Sequence, residues 1–323
     1  MSTFSTTTTL GTALTKNVRV AFQKGFTMVP VGGRRIFSVR MTNTKTSEHD
    51  SYVFDGFADD TGEGSDYAAH DPVKGDSLIL TQGKITSSFE CTKEAGMYDQ
   101  YSIVDILKGS EGVGKIVAKR IELDLQLHLG FGHGTSYTNK NGATVSTTAA
   151  DGNSIFYATH SVNGSAATYS NTLSTAFGQT GLETAESRFV SFLNHDGQLI
   201  DRMPTLIFST NKPSLVNLIR EYNKGMNHIE DALRGINVYM GKYDSMVLPY
   251  LDCDANGAKD ASKDDYWGMV DLSNNSNLML EVSQEPVVYP PQMVQRNRNA
   301  LVQADAHYAY GVLDPNCIVM SNA

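Results

Sequence analysis

The sequence predicts an α+β protein arranged around one long amphipathic helix, and three observations predict it. Residues 110–129, SEGVGKIVAKRIELDLQLHL, have no glycine or proline after Gly114 and repeat apolar residues at helical spacing. The chain before this segment reads as extended pieces and a long loop. The chain after it alternates short helices with apolar strands. We call the predicted element at 110–129 the spine helix.

The spine helix has an apolar stripe wider than a coiled-coil seam. One line of apolar residues consists of Val113, Val117, Ile121 and Leu125, and an adjacent line of Ile116, Leu123 and Leu127. The pairs Glu111–Lys115 and Arg120–Asp124 are opposite charges four residues apart, which predicts modest support on the solvent face. The segment would span about 28 Å at the rise of an α-helix, enough to cross a small domain.

Composition limits the function classes. The 323 residues suffice for one large domain or two ordinary ones, and a net charge of −9 argues against a dedicated nucleic-acid binder. Cys91, Cys253 and Cys317 are far apart and in no metal-ligand spacing, which favours a reducing compartment. The N-terminus lacks the basic and apolar regions of a signal peptide, and no apolar run approaches a membrane span. We expect a soluble, intracellular chain.

The front half is predicted to consist of an arm and a loop. Residues 1–16 are rich in Ser and Thr and are expected to be disordered or extended on their own, although a partner could order them. Residues 18–31 alternate apolar and polar residues, and 34–41 read as a strand. Residues 48–94 carry strand-like pieces on either side of an acidic tip, DDTGEGSD at 59–66. They predict a long two-stranded excursion. Such a hairpin is a lid in an enzyme or a clasp on a neighbour in an assembly.

The clearest enzyme-like motif is a phosphate-loop spacing, GxxxxGK, at Gly109–Lys115. The next residue is Ile116, where a Ser or Thr should hold magnesium, so a glycine-softened helix start is the alternative interpretation. The sequence has no GxSxG and no recognisable cysteine nucleophile. Triads whose members are far apart in sequence stay open.

Two segments invite a metal-site interpretation. His128 and His133 flank a glycine cluster but lack the spacing and the Glu of a zinc helix. The turn from Asp252 begins like a calcium loop, yet Lys263 stands where the bidentate Glu belongs. Asp260 and Asp264 could still supply oxygens, so calcium stays open beside an exposed polar turn. We predict no metal, cofactor or catalytic residue.

The back half predicts two capped helices and a series of strands. Residues 181–194 form an amphipathic helix, and 212–225 form a second, with Pro213 in its first turn and Thr210 or Asn211 as its cap. The predicted strands are 205–210, 236–240 and the long 300–312, and the segments 266–272 and 278–291 lie between the last two.

This order resembles the major capsid proteins of tailed bacteriophages, the Hong Kong 97-like shell fold. The resemblance rests on the succession of arm, loop, spine helix and capped helix, with MPTLIFST at 203–210 and LDPNCIV at 313–319. It implies an N-terminal arm at 1–48, an extended β-hairpin loop at 49–96, and the spine helix and peripheral domain at 97–150. An axial domain at 151–296 and a return strand at 297–323, completing the peripheral domain, follow.

The resemblance implies a structural, non-enzymatic subunit that assembles into hexamers and pentamers of an icosahedral shell around double-stranded DNA. Implied partners are the chain itself, a portal protein, a scaffolding protein or maturation protease, and decoration proteins, with assembly in the host bacterial cytoplasm and no membrane. The alternatives are an encapsulin-type compartment of the same fold and a nucleotide-dependent enzyme.

Three finer expectations accompany the resemblance. Some members cross-link a loop lysine to a neighbour's asparagine, and Lys74 and Lys84 lie in the loop region, although no site for that chemistry is predicted. The acidic balance suits a wall that encloses DNA by weak, non-specific contact. Gly109, Gly112 and Gly114 predict a helix entry that bends between shell positions, with the apolar face lying under strand 300–312.

Overall fold

The computed structural model describes residues 7–53, 57–67, 69, 71–92, 94, 105–162, 167–193, 197–225, 237–293 and 299–323. Its α-helices are α1 (Thr7–Thr27), α2 (Gly33–Ile36), α3 (Ile106–Gly130), α4 (Gln179–Val190) and α5 (Pro213–Lys224). The strands of the first half are β1 (Ser38–Met41), β2 (Thr46–Val53), β3 (Val73–Thr81), β4 (Gly83–Cys91), β5 (Ser136–Thr138) and β6 (Thr144–Ser146). The later strands are β7 (His160–Ser161), β8 (Thr168–Tyr169), β9 (Thr172–Leu173), β10 (Leu206–Ser209), β11 (Asp244–Val247), β12 (Trp267–Val270), β13 (Leu278–Val288), β14 (Gln292–Met293), β15 (Ala300–Val312) and β16 (Ile318–Ser321). None of the helices described combines the length and apolarity needed to cross a membrane.

The predicted spine helix is α3, and it begins four residues earlier than expected. Asp105 is its N-cap, accepting a hydrogen bond from the Leu107 backbone N–H at 3.0 Å. The predicted stripe from Val113 to Leu125 is buried in the main core, which confirms the helical period. Ile116 was expected to be covered but is 58% exposed, and Asp124, expected on the solvent face, is buried.

The N-terminal prediction was wrong for the described residues, because 7–27 form a helix. Val18, Phe22 and Phe26 recur at helical spacing and pack into the main core beside α3. The two helices run antiparallel in close contact: a Cβ on Gly114 would lie 2.2 Å from the Phe22 carbonyl oxygen, and one on Gly25 2.0 Å from that of Glu111. A long-range partner therefore stabilises a helix that the Ser/Thr-rich composition alone disfavours.

The main core lies between these helices and a five-stranded sheet. The strand order is β1-β13-β15-β14, and β4 pairs antiparallel with the other side of β15. The long strand 300–312 is confirmed, and α3 packs against it as expected. The segment at 84–90 was assigned to the loop excursion. Instead it lies in β4, where it forms part of the core sheet.

The excursion itself is a two-stranded antiparallel hairpin of β2 and β3, as predicted. Its register pairs Thr46 with Thr81 and Val53 with Val73, so the chain between the strands is the far end of the hairpin.

A second sheet, ordered β11-β10-β12-β16-β9, carries α4 and α5 over a second core around Trp267. Two local predictions fail here. Residues 237–240 form turns and the strand is β11 instead, while Ile236 lies outside the described residues. The N-cap of α5 is Lys212, which makes no side-chain capping bond.

The domain boundaries stay a prediction, and strand pairing joins segments that these boundaries separate. β13, within 151–296, pairs with β1 and β15 of the first sheet. β16, within 297–323, pairs with β12 and β9 of the second sheet. The C-terminal segment thus joins both sheets.

Candidate assembly site

The root of the hairpin is tied to the core sheet by a buried carboxylate. Glu281 on β13 is 2% exposed, and its Oε1 lies 2.5 Å from Nε2 of His49 on β2. The Ser47 hydroxyl donates a hydrogen bond to the other oxygen, Oε2. Because Ser47 and His49 of β2 both bind the buried Glu281 carboxylate, they fix the direction in which the hairpin leaves the sheet.

Apolar contacts support the same root. Leu80 on β3 packs with Met279, Ala309 and Leu313 in a small cluster of its own. A Cβ on Gly311 would lie 2.8 Å from Leu80 Cδ2, so this glycine permits the close approach of β3 to β15. The root is therefore part of this chain's own core.

The hairpin tip, which we define as residues 57–67, makes a sharp contrast with its root. Every residue of the tip is exposed, including Phe57 at 73% and Tyr67 at 95%. The tip carries four carboxylates and no Lys or Arg. Two large aromatic side chains exposed in one short segment are typical of an interaction surface.

An apolar groove of about 750 Å³ lies on the sheet side of α1. Its apolar lining includes Phe22, Phe26, Val39, Met41, Val282 and Val288. Val39 and Met41 belong to β1, the edge strand of the core sheet, and are more than half exposed. Arg19 and Arg34 also line the groove, which is therefore both apolar and basic.

Glu122 of α3 holds the segment that carries Arg34. Its fully buried carboxylate accepts from the backbone N–H groups of Gly32 and Gly33 at 3.0 and 2.7 Å, and from Arg34 Nε at 2.7 Å. Gln126 donates to the same carboxylate at 3.3 Å. Sequence periodicity placed no special weight on Glu122, because its donors come from residues about 90 positions away.

The phosphate-loop interpretation of Gly109–Lys115 is wrong because the whole motif lies inside α3. The backbone N–H of Gly109 donates to Asp105 O at 2.8 Å, whereas a phosphate cradle needs N–H groups pointing out of a loop. Lys115 Nζ lies 3.0 Å from Glu111 Oε1. The structure removes the observation on which the nucleotide-dependent enzyme rested.

The glycines of that motif have packing roles at two of three positions. A Cβ on Gly109 would lie 2.2 Å from the Phe89 ring, and Gly114 contacts the α1 backbone, whereas a Cβ on Gly112 would meet nothing within 4 Å. The predicted bend between shell positions stays a prediction, but close packing explains Gly109 and Gly114 without it.

His128 and His133 are both desolvated. Neither ring nitrogen of His128 has a hydrogen-bond partner among the described residues, and its ring lies edge-on to Tyr310 with centroids 5.0 Å apart. Burial lowers the pKa of each of the two imidazoles to about 4. His128 is a neutral core histidine, whereas His133 is only partly buried and its Nδ1 lies 3.3 Å from the Thr172 hydroxyl.

In the acidic turn that resembles a calcium loop, lysines pair with carboxylates. Lys259 Nζ lies 3.1 Å from Asp264 Oδ1, and Lys263 Nζ lies 3.1 Å from the centroid of the Phe131 ring. The Asp254 carboxylate accepts the backbone N–H groups of the turn and stabilises it locally. Within the described ranges, no three His, Cys, Asp or Glu side chains are placed to hold a metal ion.

The two loop-region lysines are in ion pairs. Lys74 Nζ lies 3.0 Å from Asp50 across the hairpin, and the hydrogen bond from Ser77 together with Lys74 lowers the pKa of the Asp50 carboxyl. Lys84 lies on β4, outside the hairpin, 3.0 Å from Asp305. These pairs assign a structural role to both lysines.

No protein-family model matches the sequence, and no curated protein is similar to it in sequence. Solved structures are similar in fold. The capsid of the cyanophage P-SCSP1u has a TM-score of 0.54 at 9% identity and covers 88% of this chain and 86% of that one. A virus-like particle from Pyrococcus furiosus has a TM-score of 0.51 at 9% identity, over 96% and 98% of the two chains. The mature capsid of bacteriophage PhiM1 has a TM-score of 0.50 at 11% identity, over 91% and 87%. These similarities confirm the α+β, Hong Kong 97-like fold.

Proposed function

We propose that this chain is a structural subunit of an icosahedral phage capsid that assembles into hexamers and pentamers around double-stranded DNA. The observation that carries the proposal is the hairpin: its root is locked into the core of its own chain, while its acidic, aromatic tip is fully exposed. The Hong Kong 97-like fold supports the same conclusion. The proposal includes no catalytic role.

The tip of one subunit clasps its neighbour by entering that neighbour's apolar, basic groove. Phe57 and Tyr67 supply apolar surface to a groove lined by phenylalanine and valine side chains, and the tip carboxylates face the exposed Arg19. Because the hairpin reaches beyond its own core, its tip can contact the neighbour while its root stays fixed in the core sheet.

The finer expectations belong to the same proposal. A portal protein, a scaffolding protein or maturation protease, and decoration proteins act with the shell. Assembly takes place in the host bacterial cytoplasm before the shell becomes part of the virion.

Negative-stain microscopy of the purified full-length chain tests the proposal, with closed shells or capsomer rings as the expected result. The variant Phe57→Ser/Tyr67→Ser removes about 3–6 kcal/mol of apolar burial from each contact. It should raise the concentration needed for assembly more than 100-fold. Thr61→Ala/Ser65→Ala, in the same tip, should assemble like the wild type.

Two results would overturn the proposal. One is a monodisperse wild-type monomer at concentrations at which capsid subunits assemble. The other is a Phe57→Ser/Tyr67→Ser variant that forms normal shells at the wild-type concentration, which would refute the clasp. Removal of residues 51–88, the whole predicted loop, is a poor test because it deletes part of β4 from the core sheet.

A further inference from the structure

The charge of the chain is divided unevenly along the sequence. Residues 1–47 carry seven Lys or Arg and no Asp or Glu, whereas the rest of the chain carries 19 Lys or Arg and 35 Asp or Glu. The overall negative charge therefore conceals a basic N-terminal segment. The fold places part of that segment, α1, against α3.

The outer surfaces of α1 and α3 form one basic surface, which we call the helical face. Its exposed or half-exposed lysines are Lys16 and Lys24 on α1 and Lys108, Lys115 and Lys119 on α3. Lys16 and Lys24 are eight residues apart, and the α3 lysines follow at intervals of seven and four, so each set lies along one side of its helix. The helical face extends over about 16 Å at 1.5 Å per residue.

The carboxylates of these two helices do not neutralise the helical face. α1 has none, and two of the three on α3 are buried and paired with arginine: Glu122 with Arg34, and Asp124 with Arg120. The third, Glu111, lies between Lys24 and Lys115 at 3.0 Å from each. Lys16, Lys24, Lys115 and Lys119 together with this one carboxylate leave a net charge of about three positive units facing solvent.

We infer that the helical face contacts the phosphate backbone of the duplex DNA enclosed by the shell. This inference rests on the proposed capsid function and assigns it a DNA-facing surface. Rows of lysines without base-reading loops suit non-specific backbone contact. About three net charges per subunit bind weakly, so the contact stays compatible with DNA release.

The acidic hairpin tip of a second copy is a less suitable occupant. On α1 and α3, the large apolar side chains found exposed among those described are Leu14, Val20 and Ile116, which leaves little surface for two aromatic rings. The groove on the other side of α1 offers that surface. A polyanion needs only the lysines.

Fluorescence anisotropy with a 30-base-pair duplex and unassembled full-length subunits tests the inference between 20 and 200 mM KCl. For the wild type, log K should fall with log[salt] with a slope of about −2 to −3. The variant Lys16→Glu/Lys119→Glu reverses two exposed lysines that pair with no group among the described residues. The slope of log K against log[salt] for this variant should be less negative by about two, and its affinity at 50 mM KCl should fall at least tenfold.

The matched control is Lys140→Glu/Lys224→Glu, which changes the net charge equally at exposed lysines of a turn and of the end of α5. The control should keep the wild-type slope. Equal losses in both variants, or wild-type protein that does not bind the duplex at 20 mM KCl, would overturn the inference.

Assembly separates this inference from the capsid proposal. The Lys16→Glu/Lys119→Glu variant should still form shells, and closed wild-type shells should not bind duplex added outside. A variant that no longer assembles would show that the helical face is a subunit contact. External binding by closed shells would place the face outside. Either result refutes the inference while the capsid proposal stands, whereas a wild type that never assembles refutes the capsid proposal.

Discussion

Replacing Gly112 or Gly114 by Ala tests whether α1 and α3 pack as closely as described. Both glycines lie inside α3, where Gly→Ala gains about 0.5–1 kcal/mol of helix stability. At Gly112 the added Cβ meets nothing within 4 Å, so this gain should appear in full. At Gly114 the Cβ would lie 2.2 Å from the Phe22 carbonyl oxygen, and overpacking of this kind costs about 1–3 kcal/mol or more.

The gain in helix stability is the same at both positions, so the two variants should differ by the overpacking cost, about 1–3 kcal/mol or more, with Gly112→Ala above the wild type and Gly114→Ala below it. Urea unfolding of unassembled subunits, followed by far-UV circular dichroism, measures this difference. Trp267, the one tryptophan of the sequence, is buried in the second core, so its fluorescence reports the second sheet separately. A Gly114→Ala midpoint equal to or above that of the wild type would refute the close α1–α3 contact.

Two further substitutions probe buried groups by the same unfolding measurement. Glu122→Ala leaves the N–H groups of Gly32 and Gly33 and the Arg34 guanidinium without their acceptor, so it should lower the free energy of unfolding by about 3–5 kcal/mol. Glu122→Gln keeps one acceptor oxygen and should cost clearly less. Equal losses in the two variants would contradict this expectation, because they would show that the acceptor oxygen kept by Gln contributes nothing. Burial lowers the pKa of His128 to about 4 in the folded chain. Between pH 6.5 and 4 the unfolded chain therefore binds the proton more readily than the folded chain does. The free energy of unfolding should fall by up to about 3 kcal/mol on acidification through this range. His128→Leu should lose correspondingly less between pH 7 and 4.5, and parallel wild-type and variant pH profiles would contradict this assignment.

Local sequence patterns correctly predicted the elements whose periodicity shows which side is buried. The stripe from Val113 to Leu125 and the long strand 300–312 were correct because burial on one side leaves a repeat in the sequence. The hairpin was also predictable, since strand-like pieces flank a polar tip. The N-terminal helix was missed because Thr dominates its first half, and because its stability comes from packing against α3.

Of the candidate assembly site, the sequence predicted the hairpin and its acidic tip but not their counterparts. Glu281 and His49 are 232 positions apart, and no spacing rule connects them. The groove needs α1, β1 and β13 together, and so it could not be found while α1 was taken as an extended arm.

The sequence by itself determined the α+β class, the order of the main elements and the concentration of positive charge in residues 1–47, because composition and periodicity are properties of the chain. Tertiary structure alone decided what the glycines of the spine helix do and where the lysines gather. Gly109 and Gly114 fit a phosphate loop by spacing, yet an aromatic ring and a helix backbone occupy the space next to them. The lysines of α1 and α3 are about 90 positions apart in sequence, and only the packing of two antiparallel helices brings them onto one face.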